Sequence, residues 1–201
     1  MPTCELNSAI ADNLDGAFES FVIAFQDRIY RFALRYAGNR EDAEEIAQDA
    51  FVRAYRALQS YPAERRREMN LRPWLYTITL NVARNRVRRK QVISQSIESP
   101  SPDADGPMEI EAAAAEGQPA LMTERRETGN ELATAIAALP ARYRAPVILR
   151  HIEGMTYAEV ATTLDQPVGT AKANVHRGIR LLRESLESAG TASGRTTEPG
   201  A

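Results

Sequence analysis

An all-α chain of two small helical domains, joined by a flexible acidic linker, is what this sequence predicts, and three observations lead there. Apolar residues recur every three or four positions through most of the chain, and no alternating run suggests a strand. Residues 93–123 hold six acids (Glu98, Asp103, Asp105, Glu109, Glu111 and Glu116) and no Lys or Arg, while Pro100, Pro102 and Pro107 oppose a continuous helix. Near Asp165 two short amphipathic segments meet at a tight corner, in the manner of a helix-turn-helix. The expected layout is an unstructured N-terminus over 1–14, a first domain over 15–91 and the linker over 92–122. A second domain with the helix-turn-helix follows over 123–187, then an unstructured tail over 188–201.

In the first domain, Phe18, Phe21, Val22, Phe25, Ile29, Phe32 and Tyr36 hold a helical period until Gly38 and Asn39 stop it. Asn39 caps a second helix, with Asp42 three residues on, and Ile46, Ala47, Ala50, Phe51, Ala54, Tyr55 and Leu58 form its buried side. Its opposite face carries Asp42, Glu45, Gln48 and Asp49. A polar loop from Ser60 to Arg72, with Arg65, Arg66 and Arg67, leads to Pro73 and a third helix. Leu75, Ile78, Val82 and Val87 would pack on the hairpin, and Trp74 reads as core. Asn81, Arg84, Asn85 and Arg88 recur at i, i+3, i+4 and i+7, a stripe of amides and guanidiniums suited to phosphates and exposed base edges; a solvated face has the same pattern.

A linker of about thirty residues is long for a connection within a compact domain, which is why it divides the chain. Helical pattern resumes near Thr123 and runs to Leu139, and Pro140 opens another helix to about Ile152. Gly154 stops that helix, and Thr156 with Glu159 is spaced as a capping box for the segment from Tyr157 to Leu164. After a turn at Asp165 and Gln166, Pro167 opens the last helix, whose stripe of Ala171, Val175, Ile179, Leu182 and Leu186 faces inward. Lys172, Ala173, His176, Arg177 and Arg180 fall on the other side, a cationic face that suits a phosphate-rich partner or simple solvation.

Composition sets the outer limits. The net charge of −2 conceals a division between the acidic segment and a basic remainder. Cys4 is the sole cysteine, so no internal disulfide forms and a reducing compartment is expected. No leader pattern or membrane-length apolar run occurs, giving a cytoplasmic protein without membrane insertion as the expectation. His151 and His176 make no metal set with one terminal cysteine, and no Gly-rich phosphate loop or acid/base constellation is present. Neither a cofactor, a metal nor an enzymatic activity is therefore expected.

The segment "LPARYRAPVILRHIEGMTYAEVATTLDQPVGTAKANVHRGIRLL" resembles the C-terminal, promoter-binding domain of bacterial sigma factors of the extracytoplasmic-function (ECF) class. "DAEEIAQDAFVRAYRAL" and "RPWLYTITLNVARNRVRRK" resemble their N-terminal domain, in the family's order. The resemblance implies a dissociable subunit that directs RNA polymerase core to promoters. It implies −35 contacts from Lys172, Ala173, His176, Arg177 and Arg180. Opening of the −10 element would fall to Asn81, Arg84, Asn85 and Arg88 with the loop Tyr61–Arg72, Asn81 lying beside the pocket for an extruded base. Asp42, Glu45, Gln48 and Asp49 would meet the clamp helices of the polymerase β′ subunit, the C-terminal domain would reach the β flap, and the linker would thread the active-site cleft. An anti-sigma factor is a further implied partner. Departures exist: Asp165 stands where many relatives have Gly, and Ala171, Ala173 and Asn174 replace a branched apolar residue, Ser and Arg. The rivals are a stand-alone helix-turn-helix regulator and a helical protein-binding adaptor.

Overall fold

The computed structural model describes residues 3–97 and 132–193, and every described element is helical. The first domain comprises α1 (Thr3–Asp12), α2 (Leu14–Ala37), α3 (Arg40–Ser60), α4 (Ala63–Glu68) and α5 (Leu71–Ile97). The second comprises α6 (132–138), α7 (Ala141–Val147), a π-helical turn (Ile148–Ile152), α8 (Tyr157–Leu164) and α9 (Val168–Ser193).

Local chemistry sets most of the boundaries. Asn13 caps α2 by accepting a hydrogen bond from the Gly16 N–H, and Gly38, at φ 82°, closes it in left-handed geometry that a side chain rarely adopts. Asn39 accepts from the Asp42 N–H at 2.8 Å and opens α3, as the sequence predicts. Phe21, Phe32, Ile29, Ile46, Leu58, Leu75, Tyr76 and Leu80 fill the space between α2, α3 and α5. The ring of Phe32 meets the edge of Tyr76 with centroids 5.2 Å apart.

Four expectations need correction. Within the N-terminus expected to be unstructured, residues 3–14 are ordered: α1 buries Leu6 and Ile10, and Asn7 Nδ2 donates to the carbonyls of Arg66 at 3.4 Å, Arg67 at 3.3 Å and Met69 at 2.6 Å. The Ser60–Arg72 connection is not wholly a loop, because α4 forms within it and rests on α1. The helix predicted from Pro73 begins at Leu71 and runs to Ile97, past the expected linker start at 92. Likewise α9 continues to Ser193, into the expected tail. The linker residues 98–122, the helical start at 123–131 and the tail from 194 lie outside the described residues.

The two domains are docked. Arg144 donates to the Tyr36 carbonyl at 2.9 Å, and Thr77 Oγ1 donates to the Thr163 carbonyl at 3.3 Å. Arg72 donates to the Glu153 carbonyl, and the Tyr76 hydroxyl donates to the Glu153 carboxylate. Burial, then the hydrogen bond to Glu153 and its charge, push the Tyr76 phenol far above its ordinary pKa, so it remains a donor. A single apolar cluster accordingly runs through both halves.

Candidate nucleic-acid interface

The helix-turn-helix is built by local rules. Thr156 and Glu159 form the expected capping box, the Thr156 N–H donating to Glu159 Oε2 at 2.8 Å and the Glu159 N–H donating to Thr156 Oγ1 at 3.2 Å. The Thr156 N–H and hydroxyl outweigh burial and hold the Glu159 carboxyl below its ordinary pKa, so the box is ionised near neutral pH. At the corner Asp165 adopts φ 50° and ψ 56°, the left-handed geometry that Asp tolerates better than most residues. The Gln166 N–H returns to the Ala161 carbonyl at 3.1 Å, and Gln166 Oε1 accepts from Asn174 Nδ2 at 3.3 Å, tying the corner to α9. Asn174 thus supports the corner.

Ala171, Val175 and Leu182 are buried on α9, as predicted, whereas Leu186 is exposed. Gly178 lies on the same buried side, where a Cβ would come within 2.5 Å of Val147 Cγ2 and 3.3 Å of Tyr143 Cβ. The helix therefore crosses α7 closely, which fixes the direction in which its outer face points. On that face Lys172, Ala173, His176, Arg177 and Arg180 are all exposed. The His176 ring stacks on Tyr157 with centroids 6.4 Å apart, and the Arg150 guanidinium also lies over the Tyr157 ring, 4.9 Å from its centroid. Arg180 pairs with Glu184 at 3.6 Å, while Lys172 and Arg177 are in no ion pair among the described residues.

Asn81, Arg84, Asn85 and Arg88 lie exposed along one face of α5. Arg88 reaches Asn85 Oδ1 at 3.5 Å, the outer limit of a hydrogen bond, so both retain capacity for a ligand. The same face begins with Pro73 and Thr77, which α8 touches. Ahead of it, the Arg65 guanidinium sits 3.7 Å over the Tyr61 ring, and Tyr61 packs toward Trp74 at 6.2 Å. Trp74 is half-buried against the core. α1 braces this segment through Asn7 and through Asp12, which accepts from Arg67 at 2.5 Å. Sequence reasoning missed α1; the spacing of Leu6 and Ile10 at i and i+4, followed by Leu14, was the available signal.

The acidic face of α3 does not survive intact. Asp42 is 1% exposed and sits beneath α5, accepting from Arg86 Nε at 2.5 Å, Lys90 Nζ at 2.7 Å and Asn39 Nδ2 at 2.6 Å. Burial would raise its pKa, but the Lys90, Arg86 and Asn39 hydrogen bonds together outweigh it and hold the carboxyl below its ordinary value. It is an internal anchor between helices and not a surface contact, which corrects its place among the polymerase-facing residues. The signal was present, since Asp42 stands four residues before Ile46 and so on the apolar side. Glu45 pairs with Arg86 from the edge of the same cluster, Asp49 pairs with Arg53 at 2.9 Å, and Gln48 is exposed.

Comparison with known proteins matches the two halves separately. The sigma-70 region 2 model covers residues 21–92, and the sigma-70 region 4 model covers residues 129–182. The ECF RNA polymerase sigma factor SigW of Bacillus subtilis is 32% identical over 171 residues, spanning 85% of this chain and 89% of that protein. The ECF RNA polymerase sigma-E factor of Escherichia coli is 31% identical over 179 residues, spanning 85% and 87%. SigE of Mycolicibacterium smegmatis is 33% identical over 170 residues, and the match spans only 62% of that longer protein. Among solved structures, the sigma factor RpoE in complex with the anti-sigma factor NepR from Bartonella quintana superposes with a TM-score of 0.65 at 23% identity, over 85% of this chain and 96% of that one. CnrH in complex with the cytosolic domain of CnrY gives 0.63 at 21%, over 92% and 97%. Both are likenesses of fold.

Proposed function

The chain belongs to the ECF class of sigma-70 family sigma factors, and from that membership we propose how its own residues recognise a promoter. It binds RNA polymerase core and promoter DNA, a non-enzymatic factor in transcription initiation. The observation that carries the residue-level reading is the pairing of two exposed faces of different chemistry on two separately matched domains. One is the cationic outer face of α9, the other the amide and guanidinium stripe of α5.

In this reading α9 enters the major groove of the −35 element. Arg177 supplies the donor fork for a guanine edge, and Lys172, His176 and Arg180 hold flanking phosphates. Ala173 lets the backbone of that face approach closely. Asn81 offers its amide to an extruded −10 base, with Arg84, Asn85 and Arg88 along the backbone and the braced Tyr61–Arg72 segment alongside. Opening then draws on the binding energy of the captured strand and consumes no nucleotide. Glu45, Gln48 and Asp49 form the reduced polar face of α3 that meets the polymerase. The helices from Thr3 to Ile97 and those from residue 132 to Ser193 act as the two functional domains. No helix among the described residues is long and apolar enough to cross a membrane.

The docked arrangement does not reach both elements at once. Elements centred about 25 base pairs apart are separated by roughly 85 Å at 3.4 Å per pair. With α8 seated on Pro73 and Thr77, Asn81 and Arg177 lie within roughly 40 Å of each other along the helices that join them. The domains therefore separate on DNA, and the docked form is the free or partner-bound state. Because two solved structures of this fold hold an anti-sigma factor and the cytosolic domain of CnrY respectively, we infer a protein partner of the anti-sigma kind here too. The test is reconstitution with core polymerase on genomic DNA and mapping of start sites. Chain-dependent starts sharing two spaced elements are expected; duplex binding without any chain-dependent start would favour a stand-alone regulator.

A further inference from the structure

α4 is a helix that its own sequence does not hold. It has 6 residues, none of them buried, and Pro62 gives it no side-chain cap, whereas isolated helices shorter than about 12 residues are marginal in water. Arg65, Arg66 and Arg67 also crowd its last turn. What holds it comes from α1, where Asn7 lies three residues before Ile10, on the buried side of the helix, and is 7% exposed. Its amide nitrogen carries two hydrogens. The 2.6 Å contact takes one to the Met69 carbonyl, and the Arg66 and Arg67 carbonyls share the other at 3.4 and 3.3 Å. Carbonyls at the end of a helix have no partner within it. Asn7 therefore caps α4 from 59 to 62 positions away.

The other end of that amide is idle. Asn7 Oδ1 is buried without a hydrogen-bond partner, which costs stability that a buried apolar side chain would not, so what the amide contributes is its donors to α4. Asp12 adds less, because its pair with Arg67 joins side chains that are 67% and 49% exposed. The far end of the segment is held from the second domain, by the bond from Arg72 to the Glu153 carbonyl. That hold is lost when the domains separate on DNA, whereas α1 stays with α4 in one domain. We propose that Asn7 is a positioning residue for strand capture: its amide keeps the Tyr61–Arg72 segment in one shape after the domains part, and so sets how well the segment tells a −10 sequence from any other. This role rests on the sigma-factor reading, which supplies the opened strand. Asn7 touches no DNA in it and acts through α4, whose position fixes the Arg65 guanidinium over Tyr61 and Tyr61 beside Trp74. A segment without its cap must be ordered anew at each capture. A matched strand loses more by this than an unmatched one, because only matched bases use the segment's shape.

The experiment measures by fluorescence anisotropy how the full-length chain, with core polymerase, binds two fluorescein-labelled single-stranded oligonucleotides. One is the non-template −10 strand of a mapped promoter, and the other is the same strand with its −10 bases replaced. The ratio of the two affinities is the readout. Asn7→Leu keeps the buried volume and has no donor, while Asn7→Asp keeps the shape and turns an acceptor toward three carbonyls. Each should lower the ratio about fivefold or more, roughly the discrimination that one well-made base contact supplies, with core affinity unchanged. Unfolding of a fraction of the molecules scales both affinities alike and leaves the ratio where it was. A merely structural role cannot move it. If the carboxylate prevents folding, Asn7→Leu decides alone. A parental ratio in either folded variant overturns the role of Asn7, and a ratio that falls only together with core affinity does so too, by placing the residue in the packing of the whole domain. A parent that shows no preference for its own −10 strand and initiates at no promoter instead removes the reading beneath it.

Discussion

Replacing Asp42 by Ala removes the buried anchor between α3 and α5, and its cost follows from the contacts. The carboxylate receives three hydrogen bonds, from Arg86, Lys90 and Asn39, and it also lies in line with the N-cap of α3. Hydrogen bonds to a charged group contribute about 1.5–3 kcal/mol each when their partner is left unpaired. Here the donors escape most of that penalty, because the Arg86 and Lys90 side chains are 29% and 46% exposed and regain water. A net loss of about 2–3 kcal/mol is expected, equivalent to a fall in Tm of about 4–12 °C for a chain of this size. Urea unfolding followed by circular dichroism measures it. The pH dependence has a fixed sign. The folded pKa lies below the ordinary value of 3.8, so the anchor contributes fully above that value and is lost as pH falls through the folded pKa. The gap between parent and variant should close in acid. A gap below about 0.5 kcal/mol at neutral pH, or one that widens in acid, refutes the anchor. Folded Asp42→Ala should still bind core polymerase as the parent does, since this carboxylate does not reach the surface.

Three further changes probe the faces. Gly178→Ala places a methyl group against Val147 and Tyr143 and should destabilise the second domain by about 1–2 kcal/mol despite the better helix propensity of Ala, read by thermal unfolding; a stabilised variant would show that α7 and α9 are not in close contact. Arg177→Ala should weaken −35 binding by about 1–3 kcal/mol in a manner that depends on sequence, measured on a panel of duplexes; a uniform loss with a smaller salt slope would make it a phosphate contact. Asp49→Arg should weaken core binding with the fold intact, because among the described residues Asp49 is paired with Arg53 on its own helix, and unchanged affinity in a binding titration would take α3 out of the interface.

Helices were legible wherever a cap or a strict period marked them. Asn39, the Thr156–Glu159 box and Asp165 each act within four residues, so the sequence alone displays both partners of the interaction. What escaped depends on distant partners. Asp42 is buried by Arg86 and Lys90, 44 and 48 residues away, and its position on a mixed stretch of α3 made a solvated acid look natural. α4 forms in the arginine-rich connection because α1 supplies Asn7 and Asp12 to brace it, about sixty residues earlier in the chain. The π turn gives no local signal beyond Pro146 and Gly154, yet it carries Glu153 to Arg72 and Tyr76. The docking of α8 on Pro73 and Thr77 joins small, neutral groups through backbone carbonyls, which no periodicity records.

Permanganate footprinting of promoter thymines, with core polymerase and the full-length chain, tests the central claim most directly. The parent should make −10 thymines reactive on duplex DNA. Asn81→Ala should retain core binding and −35 contact yet lose opening, since an extruded base forfeits hydrogen bonds of about 1–3 kcal/mol. A pre-melted −10 bubble should restore part of the loss by removing the unpairing cost. Wild-type reactivity from Asn81→Ala on duplex DNA would contradict the role of the α5 stripe, and no reactive thymines with the parent on any mapped promoter would contradict the sigma-factor account itself.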